Sequence, residues 1–409
     1  MGGQGRSLYV FVGIQSFLIG LFPFYIPVYL FKAGESLALI FAFISATGLG
    51  FVFSLYLWDR VARTLPLNRL MIISLLSEWG LVSLFFLDVS SLFIPGAGVV
   101  NGIFNCSFWM IQRLLFLDTV TPGNSGRKFG NFQIVVFLVV KIGIFAGGFL
   151  LDHYSFGSVF LGTAAVAGAG TLYFTTRGRD YSFDDRVVKS APLKFRAAAA
   201  YRDSLNSRPV FAVDGVFLYL ESYFWMISLF LVVKQRFWTL GGLVIVLALI
   251  FSLMFVMVKN RIDRMPVNAV YRWAVILYGI SWILRGMLDH LAAPVFVFVL
   301  LAAITFCTSI FRLAFNKRFY DIAASTSGHE YIFIKSYISQ SCLVLAALAG
   351  ALSVSSTSVL PALYFSAAPL SLVYLWYHDI SRAPSAGSRE NFSKQDAGVE
   401  QFKNSCRKG

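Results

Sequence analysis

The sequence predicts an all-α membrane protein, with twelve transmembrane helices arranged as two pseudo-symmetric six-helix bundles. Three observations predict it. First, the 409 residues are 57% hydrophobic and only 13% charged, with a mean hydropathy of +0.72; a water-soluble domain carries about 25% charged residues. Second, apolar runs of about 18 residues or more recur along the chain, each long enough to cross a hydrocarbon layer about 30 Å thick. Third, the second half echoes the first. The stretch Asp59-Arg60-Val61-Ala62-Arg63-Thr64-Leu65-Pro66-Leu67-Asn68 returns, with one gap, as Asn260-Arg261-Ile262-Asp263-Arg264-Met265-Pro266-Val267-Asn268. Arg60 then matches Arg261, Arg63 matches Arg264, Pro66 matches Pro266 and Asn68 matches Asn268. Later landmarks keep nearly the same offset: Asp88 with Asp289, Asp118 with Asp321, and Ser125-Gly126 with Ser327-Gly328.

The segments follow in order, each bounded by its loop. Segments 1 (8–31) and 2 (37–58) meet at a short loop holding Lys32. Arg60, Arg63 and Arg69 divide segment 2 from segment 3 (70–88), which joins segment 4 (92–117) without a Lys or Arg. Arg127 and Lys128 precede segment 5 (131–151), and a break near Asp152-His153 precedes segment 6 (156–174). A long polar stretch, Thr175 to Arg208, leads to segment 7 (209–232), and Lys234 and Arg236 lie before segment 8 (239–258). Lys259, Arg261 and Arg264 precede segment 9 (269–288), and a loop without Lys or Arg precedes segment 10 (294–316). Lys317 and Arg318 precede segment 11 (331–352), and a break near Ser355-Ser356 precedes segment 12 (357–377).

Loops after even segments are therefore basic and loops after odd ones nearly free of Lys and Arg. Positive loops stay in the cytoplasm, which places both termini there and suits a multi-pass protein of a bacterial-type inner membrane. This bias accounts for the net charge of +14, and its dispersal over many loops argues against a nucleic-acid partner. Four domains are expected: an N-terminal bundle (1–174), a cytoplasmic linker (175–208) with an amphipathic helix around Leu193–Leu205, a C-terminal bundle (209–377), and a polar, disordered cytoplasmic tail (378–409). The first apolar run is too long for a signal-peptide core, so no cleavage is expected. Cys106, Cys307, Cys342 and Cys406 lack CxxC spacing and His is rare; neither a metal site, a cofactor nor a nucleophile–base pair is expected.

These residues resemble the major facilitator superfamily over about residues 8–377. The family's loop after helix 2 reads roughly G-x-x-x-D-R-x-G-R-R. Asp59, Arg60 and Arg63 keep that pattern, while Leu55, Ala62 and Thr64 depart from it. After helix 4, Asp118, Pro122, Gly126, Arg127, Lys128 and Gly130 look like the family's acid followed by a Pro, Gly and basic loop. The resemblance implies a cytoplasmic latch of Asp59, Arg60, Arg63, Arg113, Asp118, Arg127, Arg261 and Arg264 that holds one face closed. In segment 5, Gly130, Gly143, Gly147 and Gly148 fall in register with a glycine pattern of proton-driven exporters, although Val139 and Ile144 replace a Gly and the Pro. Such glycines allow a close, sliding interface between halves.

Ionisable groups inside hydrocarbon cost about 2.5–3.5 kcal/mol each on insertion scales, so each needs a reason. Glu78, Lys141 and Glu221 lie nearest a segment midpoint and Asp214 lies somewhat off it; Arg113 and Arg312 lie toward cytoplasmic ends. Arg272, Arg285 and Lys335 are expected to snorkel. The resemblance implies that helices 1, 4, 7 and 10 line a central cavity. Polar stripes fit: Asp214, Leu218, Glu221 and Trp225 on segment 7; Asn101, Asn105, Trp109 and Gln112 on segment 4; Thr305, Ser309, Arg312 and Asn316 on segment 10; Gln15 on segment 1. Glu221, Asp214 and Glu78 are the candidates for proton coupling, because hydrocarbon disfavours their charged forms and so brings protonation within reach near neutral pH. A buried pairing of Glu221 or Glu78 with Lys141 is the structural alternative for these acids.

The expected function is proton-coupled secondary transport of a small organic solute by alternating access, with export favoured by the segment 5 glycines, in a monomer. An importer of an organic anion using Arg312 and Lys141, or a non-transporting receptor or assembly factor, are the other readings. Internal repeats with a midplane site between them favour a carrier.

Overall fold

The computed structural model describes residues 3–87, 93–119, 125–176, 192–262, 267–288, 294–354 and 357–379. They are helical, with twelve spans. The first, α1, runs Gly3–Leu21, bends through a turn at Pro23–Tyr25 and resumes as Ile26–Lys32. It is followed by α2 (Leu37–Val61), α3 (Leu67–Leu87), α4 (Phe93–Thr119), α5 (Ser125–His153) and α6 (Phe156–Thr176). A short linker helix, Phe195–Ala200, precedes α7, which comprises Ser207–Tyr219, a π-turn at Leu220–Phe224, and Trp225–Val232. The last five are α8 (Phe237–Ile262), α9 (Val267–Gly286), α10 (Pro294–Ser325), α11 (Gly328–Ser353) and α12 (Leu360–Ser371, flanked by turns at Thr357–Val359 and Leu372–Trp376). Nine described helices combine the length and apolarity of a membrane span.

Each predicted segment coincides with one helix, and the internal repeat is structural. Helices start in matched pairs at Leu37 and Phe237, Leu67 and Val267, Phe93 and Pro294, Ser125 and Gly328, and Phe156 and Leu360. Two expectations need correction. The linker helix covers Phe195–Ala200 rather than Leu193–Leu205. And α10 runs past 316: Lys317 and Arg318 are buried in it, not placed in a loop. Lys317 pairs with Asp321 one turn on at 2.8 Å, while the Arg318 guanidinium donates to Asn268 Oδ1 at 2.7 Å and stacks over Tyr271. Paired in this way, both cations are compatible with a continuous helix. The expected C-terminal tail falls, but for Tyr377 to Asp379 just before and within it, outside the described residues.

Ile276, Ile280 and Ile283 are exposed on one face of α9, as are Leu49 and Phe53 on α2 and Leu345, Leu348 and Leu352 on α11. Apolar faces of this kind are lipid-facing in a multi-pass protein, and helices suit that setting because they satisfy their own backbone hydrogen bonds. The two halves meet where α2 packs on α11 and α5 packs on α8. At the end away from the basic loops, Asp152 of α5 accepts the Trp238 backbone N–H at 2.7 Å and lies 3.6 Å from Lys32. At the basic end Trp58 of α2 meets Phe333 of α11, and Phe116 of α4 meets Tyr320 of α10.

The glycines of α5 divide their roles. Gly143 and Gly147 face the α1 backbone at Phe17 and Leu21, inside the N-terminal half, and Gly20 returns the approach from α1. Gly148 faces Phe237 of α8 across the halves. The close approach is thus mainly within a bundle, with only Gly148 at the interface that the exporter pattern implied; Gly130 lies outside the described side-chain positions. A Cβ at Gly147 would overlap Leu21 O, whereas one at Gly168 meets nothing within 4 Å. Gly147→Val is expected to cost about 1–3 kcal/mol or more through overpacking, and Gly168→Ala to be neutral, as read from the melting temperature of the detergent-solubilised protein.

Candidate functional site

Over its middle and the half nearer the basic end, the accessible polar and aromatic side chains of α4 form one stripe. From Asn101 to Phe116 almost every residue is buried; the accessible ones are Ile103, Asn105, Trp109 and Arg113, of which the last three recur every fourth residue. That stripe is wired along the helix. Trp109 Nε1 donates to Asn105 Oδ1 at 3.2 Å, Asn105 Nδ2 to Asn101 Oδ1 at 3.0 Å, and the Arg113 guanidinium lies 5.7 Å from the Trp109 ring. It also points across the molecule: Asn101 Nδ2 donates to the hydroxyl of Tyr223 on α7 at 3.1 Å, and Arg113 to Ser336 Oγ on α11 at 3.1 Å. Gln112, expected on this stripe, is instead buried.

Opposite stands an ionic network built on α7 and α10. Arg312 holds both predicted acids of α7: its Nη1 is 2.8 Å from Asp214 Oδ1, and its Nη2 and Nε donate to Glu221 Oε2 at 2.9 and 3.1 Å. Tyr278 of α9 donates to Glu221 Oε1 at 2.7 Å, and Tyr374, at the end of α12, donates to Asp214 Oδ1 at 2.9 Å. Lys335 of α11 lies 3.0 Å from Asp214 Oδ2. Stacked aromatic rings enclose the assembly, with Tyr278 and Phe311 at 3.9 Å between centroids. Glu221 and Arg312 remain partly accessible, at 16% and 18%, while Asp214 is sealed at 1%.

The π-turn explains how α7 presents both acids. It carries one extra residue per turn, interrupts the regular register of α7, and is a form concentrated at functional sites. Glu221 sits inside it and Asp214 one half-segment before it. Beyond the turn, Trp225 is buried against Tyr364 and 5.0 Å from the Arg285 guanidinium, away from the Glu221 cluster's own ligands. On α10, Thr305 and Asn316 are partly accessible; the Ser309 hydroxyl is buried and bonded back to Thr305 O.

The remaining predicted residues sort differently. Gln15 and Glu78 are fully buried and paired with each other in the N-terminal half, Gln15 Nε2 donating to Glu78 Oε2 at 2.5 Å. Neither Glu78 nor Glu221 pairs with Lys141, whose ammonium lies 5.9 Å from the Phe24 ring. Both Gln15 Oε1 and Glu78 Oε1 are buried acceptors without a donor among the described residues. Arg285 and Lys335 do not snorkel. Each is buried: Lys335 against Asp214, and Arg285 between Trp282 and Trp225 while donating to Ser281 and Thr308 at 2.7 and 2.9 Å. Enclosed partners hold these cations in the bundle more firmly than a reach to the interface would. Arg272 is exposed, as expected.

Asp59 gathers groups from three places at the basic end. Arg63 pairs with it at 2.9 Å, the Leu193 backbone N–H of the linker donates to it at 2.7 Å, and His329 Nε2 of α11 lies 3.6 Å away. Arg60 folds onto Tyr56 of its own helix, and Arg113 reaches Ser336 rather than Asp59. Asp118, Arg127, Arg261 and Arg264 lie outside the described side-chain positions. Among the described residues no cluster of His, Cys, Asp or Glu suits a metal. The sequence reading missed Tyr278 and Tyr374. The repeat offset of the helix starts, 200 between Leu67 and Val267, also separates Glu78 from Tyr278, and carried inside the helices it would have drawn attention to Tyr278.

No family model and no curated protein matches the chain by sequence. Solved structures match by shape. The nucleoside transporter NupG superposes with a TM-score of 0.64 at 15% identity, covering 91% of this chain and 98% of its own. A bacterial homologue of the iron transporter ferroportin, in an outward-facing state, gives 0.61 at 12%, covering 91% and 99%. The human organic anion transporter MFSD10 gives 0.59 at 14%, covering 92% and 100%. The chain has the major-facilitator fold.

Asp214 is the hub of the network, with Arg312, Lys335 and Tyr374 around it. Asp214→Ala is expected to lower stability by about 3–5 kcal/mol, the range for removing one partner of a buried ion pair. Asp152→Ala, at the partly exposed Lys32 pair, is expected to cost under about 1 kcal/mol. Melting temperatures of the two variants against wild type check the contrast.

Proposed function

We propose that the chain is a secondary active transporter of the major-facilitator type, which moves a small organic solute by alternating access and couples it to protons, in the direction of export. The observation that carries this reading is the grip of Arg312 on Asp214 and Glu221 at the wall between the halves. A scaffold gains nothing from inserting these charges into a membrane. A carrier gains a bistable element: the acids flank or occupy a π-turn, so release of either one lets α7 and α10 adopt a second arrangement.

Protons have two entry points in this scheme. Glu221 is partly accessible and shared between Arg312 and Tyr278, so protonation weakens its hold on the guanidinium. Glu78 has one donor, Gln15, and no cation among the described residues; a proton on it supplies the donor that two buried acceptors lack. Asp59, with Arg63, His329 and Leu193, acts as the latch at the basic end, which the positive-inside pattern assigns to the cytoplasm. Structures of similar shape include carriers named for nucleosides, organic anions and iron, which supports transport and leaves the solute open. We infer a monomer in a bacterial-type inner membrane.

The test uses purified protein in liposomes containing a pH-sensitive dye, with a panel of metabolites, chelators and cationic drugs added outside. Wild type is expected to show a solute-dependent pH change. Glu78→Gln and Glu221→Gln are each expected to reduce it about tenfold or more, with solute binding retained. A solute flux without any pH change would overturn proton coupling, and neither flux nor pH change with solutes that bind would overturn transport.

A further inference from the structure

Arg113 stands out once the charges between the halves are paired off. Arg312 is matched by Asp214 and Glu221, and Lys335 by Asp214. Arg113 has no carboxylate partner among the described residues. A guanidinium offers five N–H donors, and among the described residues one hydrogen bond is made, Nη1 to Ser336 Oγ. Asp214, the buried acid of α7, is already committed to Arg312, Lys335 and Tyr374. Position adds to the case. Arg113 is on the accessible stripe of α4, beside Trp109, which is 36% exposed in a stretch, Asn101 to Phe116, that is mostly buried. Its one hydrogen bond among the described residues reaches the opposite half of the molecule.

A cation at the partition between two moving halves, with most of its donors unused and an indole one turn away, is built for an anion with an apolar body. We propose that the solute is a small organic carboxylate whose anionic group docks on Arg113, with its apolar part against Trp109. This rests on reading the space between the halves as the substrate site. The carboxylate replaces Ser336 as the partner of Arg113 and supplies the negative charge that Arg113 does not meet among the described residues. Arg is suited to the task because its fork accepts both carboxylate oxygens at once. Arg312, the cation a charge count in sequence would choose, is occupied by the protein's own acids.

The experiment is equilibrium binding to the full chain in detergent, read by tryptophan fluorescence and by thermal shift, neither of which requires transport. The probes are aliphatic and aromatic monocarboxylates, benzoate among them, each paired with its neutral amide and its amine. Saturable quenching and stabilisation by carboxylates alone is expected. Arg113→Gln is expected to weaken it at least about tenfold, Arg113→Lys to retain part of it, and Arg272→Gln, on the exposed face of α9, to leave it unchanged. Melting temperatures confirm that each variant is folded. Equal binding of amide or amine, wild-type carboxylate binding in Arg113→Gln, or no carboxylate binding at all overturns the proposal. Carboxylate binding with no flux in liposomes overturns transport alone; flux of neutral or cationic solutes without carboxylate binding overturns the substrate class alone.

Discussion

A charge removed from water must be met by opposite charge and hydrogen bonds, or the fold rearranges to release it. The C-terminal half is organised by that constraint around one guanidinium. Arg312 draws Asp214 and Glu221 from α7, Tyr278 completes Glu221 from α9, and Tyr374 and Lys335 complete Asp214 from α12 and α11. Five helices are thereby registered on one ionic cluster, and the π-turn in α7 lets that helix contribute two acids to it. The cluster is nearly closed on itself, with Glu221 and Arg312 its partly accessible members.

The N-terminal half solves the matching problem with less charge. Where the C-terminal half joins α7 to α9 through Glu221 and Tyr278, the N-terminal half joins α1 to α3 through Gln15 and Glu78. The acid has changed helix, and among the described residues no cation accompanies it. Rigidity in this half comes instead from backbone proximity, with Gly20, Gly143 and Gly147 pressing α1 onto α5. The repeated architecture thus carries unlike chemistry in its two halves.

Contacts of mixed kind lock each end of the interface, laid over the packing of α2 on α11 and α5 on α8. Gly148 against Phe237 and Asp152 on the Trp238 backbone hold one end; Asp59 with Leu193 and His329, and Trp58 with Phe333, hold the other. Most are single hydrogen bonds or ring contacts, each worth about 1 kcal/mol or a little more. The Arg312 cluster, by contrast, stays within its own half.

Amino-acid order alone determined the helices and their pairing. Twenty-residue apolar runs have one stable form in hydrocarbon, and the repeat of Pro66 and Asn68 as Pro266 and Asn268 marks matched starts of α3 and α9. The acids were also legible, since Asp214, Glu221 and Glu78 stand out against an apolar background. Which cation is satisfied was decided only by the tertiary structure. Arg113, Arg285, Arg312 and Lys335 look alike in a sequence, each a basic residue in an apolar run. Their partners come from helices 20 to more than 200 residues apart, and a π-turn shifts the face on which Glu221 emerges. Side-chain neutrality is a property of convergence in space, and no spacing along one helix records it.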